Sequence, residues 1–124
     1  MSSIQITPRA DLEMALDSKN DLLLEKILFD VLEEGDRAIE KHGKPTGNPL
    51  RCAGIVCEEA GEAMEAALMI TAINPKEREG RSQMDWLCDL RAELIQTASS
   101  AILRIRTIDS GEMTQWIIDH SQQT

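Results

Sequence analysis

The sequence predicts an all-α protein, an antiparallel bundle of three long helices followed by a short C-terminal helix. Leu, Ala and Glu, which are strong helix formers, supply 38 of the 124 residues. The four prolines stand at positions 8, 45, 49 and 75, so only Gly80 and Gly111 interrupt the chain beyond them. Apolar residues recur at helical spacing, and their fraction of 42% is enough for one packed core. We therefore expect a single domain over residues 1–124.

Helix-starting and helix-stopping residues place the elements along the chain. Residues 1–20 are expected to form an N-terminal arm or a short helix. The predicted long helices span about residues 21–41, 49–73 and 82–108. Pro49 suits a first helical turn and Ser82 suits an N-cap, while the short fourth helix follows Gly111.

Apolar stripes on the long helices are expected to face the core. The third helix carries Leu87, Leu90, Leu94, Ala98, Ala101, Ile105 and Ile108 on one stripe. The first helix carries Leu24, Ile27, Leu28, Val31, Leu32 and Ile39. The second helix has smaller residues, which would let a partner helix come close: Val56, Ala60, Ala63, Ala67 and Ile70.

Charge and composition exclude several classes of function. A formal net charge of -9 repels nucleic-acid polymers and anionic membranes, and the aromatic fraction of 2% provides no platform for stacked bases. No stretch approaches the roughly 20 apolar residues of a membrane-crossing helix. The three cysteines lie inside apolar patterns, and the first residues lack the pattern of a signal peptide. We expect a cytoplasmic protein with reduced thiols.

Acidic residues share one face of the predicted second helix. Glu58, Glu62 and Glu65 fall on one stripe, with Glu59 beside it. On the third helix, Asp89, Glu93, Gln96 and Ser100 project within about a third of the circumference. If the two helices pack side by side, Glu58, Glu59 and Glu62 oppose Glu93 and Gln96, an oxygen-rich set suited to Mg²⁺ or Mn²⁺. The alternative from spacing alone is that both faces are solvated surfaces of an acidic protein.

The order of these motifs resembles the MazG-like family of all-α nucleoside triphosphate pyrophosphohydrolases. Residues 58–62 read EExxE, and the LRAEL segment at 90–94 on the next predicted helix supplies the acid of the family's ExxD motif. The similarity covers about residues 25–108, including the KHGK segment at 41–44 that precedes the metal helix in such proteins.

The resemblance implies a role for each matching residue. Glu59 and Glu62 would be metal ligands, Glu93 the ligand from the opposing helix, and Glu58 a further ligand or the catalytic base that orients water. Gln96 departs from the pattern, because it stands where the family has Asp and a neutral amide cannot balance metal charge. Two neighbouring acids are candidates to compensate, Asp89 and Glu65.

Basic residues concentrate in the two connections between the long helices. Lys44, Arg51 and Arg81 are candidate phosphate contacts, with solvated surface charge as the alternative. Trp86 is a candidate for stacking on a nucleobase, with core or interface packing as its alternative. His42 is a further candidate for contacting a phosphate, but a lone His in a polar loop is more typical of a surface residue.

The function expected from this resemblance is Mg²⁺-dependent hydrolysis of a nucleoside triphosphate to a monophosphate and pyrophosphate. Mn²⁺ is a possible substitute for Mg²⁺, and the resemblance implies a homodimer or homotetramer. The rival interpretation, which Gln96 favours, is a non-catalytic helical module that binds a nucleotide or a protein. A di-iron protein of the ferritin type is disfavoured, because neither histidine lies three residues after a helical Glu.

Overall fold

The computed structural model describes residues 21–72 and 75–121, which contain helices and no strands. The helices are α1 (Asp21–His42), α2 (Pro49–Thr71), α3 (Gln83–Asp109) and α4 (Glu112–His120), with a short 3-10 helix, Pro75–Arg78, between α2 and α3. The prediction of three long helices and one short helix is confirmed. The predicted N-terminal arm and Ile73 lie outside the described residues. Over the described ranges, no helix combines the length and the apolar character that crossing a membrane requires.

Internal contacts divide the chain into two compact units, residues 1–30 and 31–124. The described part of the first unit is the beginning of α1. The second unit contains the end of α1 and all of α2, α3 and α4. Every candidate site residue named above belongs to this second unit.

Local sequence explains where the helices begin and end. α1 stops at Gly43, which adopts a left-handed φ of 78° and donates its N–H to Ile39 O at 2.7 Å. The Asn48 side chain caps the start of α2 by accepting from two backbone N–H groups. Ser82 and Asp85 form a reciprocal capping box at the start of α3. These caps satisfy backbone groups that the helices cannot satisfy themselves.

α2 and α3 form an antiparallel pair. Gln83 at the start of α3 donates its Nε2 to Ile70 O near the end of α2, at 2.9 Å. Further along α3, Glu93 meets Glu59 and Glu62 in the middle of α2. Ala63 and Ala66 of α2 are buried, and their small side chains let the two helices approach closely.

The second half of α1 approaches α3 closely at Gly35. A Cβ atom at this position would stand 3.1 Å from Ser99 Oγ, so a larger residue would require the Ser99 side chain to shift. Val31, one turn earlier, is 5% exposed. This close approach forms one wall of the cleft described below.

The apolar stripe predicted to be the core face of α3 is largely exposed, which makes that prediction wrong. Leu87, Leu94, Ile105 and Ile108 are between 47% and 54% exposed. The buried residues of α3 are instead Trp86, Ser99, Ser100 and Thr107. At 100° per residue, this buried face lies about a third of a turn from the apolar stripe. α3 therefore directs a mostly polar face toward α1 and α2.

Candidate metal centre and adjoining cleft

Three carboxylates from two helices converge where α2 and α3 pack together. Glu59 and Glu62 lie almost one turn apart on α2, and Glu93 lies opposite them on α3. One carboxylate oxygen from each residue falls within 4.8 Å of the others. The expectation that side-by-side packing would bring Glu62 close to Glu93 is confirmed.

Burial and mutual repulsion raise the pKa values of two of these carboxyls. The pKa of Glu93 is raised to about 7, first by burial, then by a hydrogen bond with Glu62, and then by the charges of Glu62, Glu59 and Asp89. The pKa of Glu59 is raised by burial and by the charges of Glu62, Glu58 and Glu34, while Arg104 opposes the rise. At neutral pH the cluster therefore resists carrying three full negative charges.

Two carboxylate oxygens in the cluster are shielded from solvent and lack a hydrogen-bond partner, Glu59 Oε2 and Glu93 Oε2. An unsatisfied buried polar atom typically costs about 1–3 kcal/mol. Carboxylate oxygens are the ligands that Mg²⁺ and Mn²⁺ prefer, and a divalent cation would offset both the repulsion and the lost hydration. The donor set therefore fits such an ion.

A cleft of about 480 Å³ adjoins the carboxylates. Its walls are the end of α1 with the following loop, the first half of α2 and the middle of α3. Six of the residues named in the sequence analysis line it: His42, Arg51, Glu58, Glu59, Gln96 and Ser100. Gln96 and Glu59 thus line the same cleft from α3 and α2.

Three sequence-predicted residues do not line this cleft: Lys44, Arg81 and Trp86. Lys44 lines a smaller pocket of about 120 Å³, which shares His42, Arg51 and Arg104 with the main cleft. Arg81 and Trp86 lie at the connection between α2 and α3 and are not part of the cleft lining.

Arg81 and Trp86 interact with each other at that connection. The Arg81 guanidinium lies 4.4 Å from the centre of the Trp86 ring and forms an ion pair with Asp89. Trp86 is 8% exposed and donates Nε1–H to Arg78 O at 3.1 Å. The Arg81 hydrogen bond lowers the pKa of Asp89, and the charge of Asp89 also acts on Glu93. Glu65, the other candidate to compensate for Gln96, is exposed.

Sequence reasoning missed two charged residues of the cleft, Glu34 and Arg104. Arg104 follows Gln96 and Ser100 at intervals of four residues, so helical spacing alone would have placed it on the same face. Glu34 had no such signal, because it flanks the apolar stripe of α1. Only the approach of α1 to α3 brings it to the carboxylates.

Comparison of the chain with known protein families, with curated proteins and with solved structures finds no match. Its function must therefore be inferred from its own residues and their arrangement.

We expect the metal-free protein to lose stability as pH rises from about 4.5 to 7. The pKa of Glu93 is raised on folding, so its stabilising contribution is fully present below the unfolded value and is lost as pH rises through the folded value. Thermal melts in EDTA between pH 5 and pH 8 measure this loss of stability. The melting temperature of Glu93→Gln should fall less than that of the parent over the same pH range. Comparing the two proteins cancels the contributions of most other groups, and parallel pH profiles would contradict the raised pKa.

We expect Mg²⁺ or Mn²⁺ to raise the melting temperature, because an ion that binds the folded carboxylate cluster stabilises the folded state by mass action. The measurement is a thermal melt at neutral pH with increasing metal after EDTA treatment. The control is the double variant Glu62→Gln with Glu93→Gln. If metal raised the melting temperatures of the parent and the double variant equally, the ion would bind elsewhere.

Proposed function

We propose that the chain is a Mg²⁺-dependent nucleoside triphosphate pyrophosphohydrolase, which releases a nucleoside monophosphate and pyrophosphate. The observation that carries this proposal is the convergence of Glu59, Glu62 and Glu93 beside a cleft that also contains arginines. The cleft volume of about 480 Å³ falls in the range of small-molecule sites, so a nucleotide is a reasonable occupant.

The carboxylate cluster would hold the divalent cation through Glu59, Glu62 and Glu93. A bound divalent cation supplies positive charge that stabilises the negative charge developing on phosphate oxygens. The protein's own contribution is to fix the carboxylates on two packed helices, so that their geometry is set before substrate arrives. Gln96 would add a neutral amide oxygen at the edge of this set.

Glu58 is the residue that we propose as catalytic base. It lies on the cleft wall next to Glu59 and is exposed, which leaves it accessible to a water molecule. In the proposed reaction, Glu58 accepts a proton from a water whose oxygen adds to the α-phosphorus. The bond between that phosphorus and the bridging oxygen breaks, and pyrophosphate leaves with the bond electrons.

The order of the motifs supports the same proposal. The EExxE pattern on α2 and the LRAEL segment on α3 resemble the MazG-like family, and these are the segments that meet in the structure. Arg51, which lines the cleft, and Lys44, which lines the smaller adjoining pocket, are proposed phosphate contacts. Arg81 and Trp86 engage each other at the helix connection, which favours a packing role over substrate contact.

A non-catalytic binding module remains the second candidate, and Gln96 favours it. A neutral side chain on the cleft wall reduces the negative charge available to a metal, as loss of an active-site acid would. Such a module would keep the cleft and bind a nucleotide or a protein without cleaving an anhydride bond.

We expect pyrophosphate release from a nucleoside triphosphate in the presence of Mg²⁺, and a loss of turnover by orders of magnitude in Glu59→Gln or Glu93→Gln. Removing a ligand at a phosphoryl-transfer site normally has this effect. A panel of ribo- and deoxyribonucleoside triphosphates at saturating Mg²⁺, assayed for pyrophosphate, provides the measurement.

Gln96→Asp separates the two candidate functions. In an enzyme, this change should alter turnover modestly, because the acids present already support the reaction. If the chain is a binding module, the parent should release no pyrophosphate above background, and Gln96→Asp should restore some release. Parent activity that survives Glu93→Gln unchanged would refute the mechanism.

We also propose that the chain forms a homodimer or homotetramer. The exposed apolar stripe on α3, from Leu87 to Ile108, supports this, because burying such a surface against a second copy removes it from water. A further proposal is a cytoplasmic location, supported by three free cysteines that suit a reducing compartment.

Ile108→Glu is expected to shift the assembly toward monomer, because a charge placed in an apolar interface loses its hydration. Light scattering after size-exclusion chromatography measures the mass. The matched control is Leu50→Glu in the first turn of α2, which places the same charge on a residue that is 84% exposed. A monomeric parent would contradict the proposed assembly.

A further inference from the structure

Arg104 lines the cleft and carries a buried donor that has no hydrogen-bond partner. Its side chain lines the cleft, and its Nε is shielded from solvent without a hydrogen-bond partner. A guanidinium is always charged and presents its donors in a rigid planar fork, so an N–H left without an acceptor in this position is costly. The neighbouring side chains do not supply an acceptor for the Arg104 Nε–H group.

Hydrogen bonds to the previous turn of α3 hold the guanidinium in place. Arg104 Nη1 donates to Ser100 Oγ at 3.1 Å and to Ser100 O at 3.3 Å. Ser100 is 7% exposed, so this anchor is part of the packed interior. The orientation of Arg104 is therefore set before any ligand binds, which lowers the entropy cost of binding.

Arg104 and Glu59 are complementary but do not satisfy each other. Both line the same cleft, and the charge of Arg104 acts on the Glu59 carboxyl. Yet Arg104 Nε and Glu59 Oε2 both lack a hydrogen-bond partner. The positive charge of Arg104 and the negative charge of Glu59 on the same cleft walls fit a ligand that combines a cation with an anion.

We propose that Arg104 binds the phosphate chain of the substrate, which makes the cleft a site for a divalent cation together with an oligophosphate. This inference rests on the proposed function and adds a binding residue to it. Planar guanidinium donors match phosphate oxygens in geometry and charge. Arg51 lines the same cleft and supplies a second positive charge.

The other charged groups of the cleft explain why the ligand includes a cation. Glu34, Glu58 and Glu59 line it, and Arg51 and Arg104 do not fully balance them; His42 also lines it. A divalent cation held by the carboxylates would reduce the repulsion between these acids and a phosphate chain. Glu34 forms a bidentate contact with Arg37, at 2.7 and 3.0 Å, which offsets part of its charge.

The test is calorimetric titration of inorganic pyrophosphate into the full chain, with Mg²⁺ and with EDTA. We expect the parent to bind in Mg²⁺ and Arg104→Gln to bind at least about tenfold more weakly, as loss of a charge-assisted hydrogen bond predicts. Arg104→Lys keeps the positive charge but loses the planar arrangement of donors. Its affinity for pyrophosphate should fall between those of the parent and Arg104→Gln. Arg91→Gln makes the same charge change on an exposed position of α3 and should bind as the parent does.

Melting temperatures establish that each variant is folded. The proposal would be overturned if folded Arg104→Gln bound pyrophosphate as tightly as the parent does. It would also be overturned if the parent did not bind pyrophosphate. If Arg104→Gln does not fold, Arg104→Lys carries the test, and affinity equal to that of the parent would overturn the proposal there.

The assay of pyrophosphate release separates this inference from the proposed function. Pyrophosphate binding that depends on Arg104, without release from any triphosphate, would support the site and refute the hydrolase. If Arg104→Gln releases pyrophosphate from a triphosphate with the same KM as the parent, the hydrolase is supported and the role of Arg104 is refuted.

Discussion

The constraint on which the site depends is the repulsion among Glu59, Glu62 and Glu93, held together by the packing of α2 against α3. Three carboxylates within 4.8 Å of one another oppose the folded state unless one is protonated or a cation is bound. The raised pKa of Glu93 is the direct consequence. Helix packing elsewhere must offset this cost, and the buried Ala63 and Ala66 provide the close contact that does so.

The same packing decides which face of α3 points inward. Glu93, Gln96, Ser100 and Arg104 share the face toward α1 and α2, so the apolar stripe of α3 is turned outward. A helix with a polar inner face is unusual for a soluble bundle, where the apolar face is normally the buried one. This arrangement would be explained by an inner face that binds a ligand and an outer face that packs against a second subunit.

The cleft has two chemically different parts. The carboxylates lie at one side, and Arg51 and Arg104 contribute positive charge to the same walls. Neither Arg104 Nε nor Glu59 Oε2 finds a partner within the chain, although their charges are opposite. Groups that remain unsatisfied in this way are expected at functional sites, where stability is given up so that a ligand can complete the contacts.

Sequence and tertiary structure contributed different parts of this description. Proline and glycine positions, the Ser82 cap and helical periodicity were sufficient to predict the four helices, because these signals act over a few neighbouring residues. The spacing of Glu58, Glu59 and Glu62 likewise showed that they share a helix side, and side-by-side packing of the two helices predicted that Glu93 would oppose them.

The orientation of α3 and the complete cleft were decided only by tertiary structure. Periodicity shows which residues of α3 share a face, but it does not show which neighbouring helix that face will contact. That choice depends on packing between segments far apart in sequence, such as Gly35 against Ser99, which brings Glu34 to the carboxylates. The predicted core stripe of α3 was wrong for this reason, since a long apolar stripe fits a subunit interface as well as it fits a core.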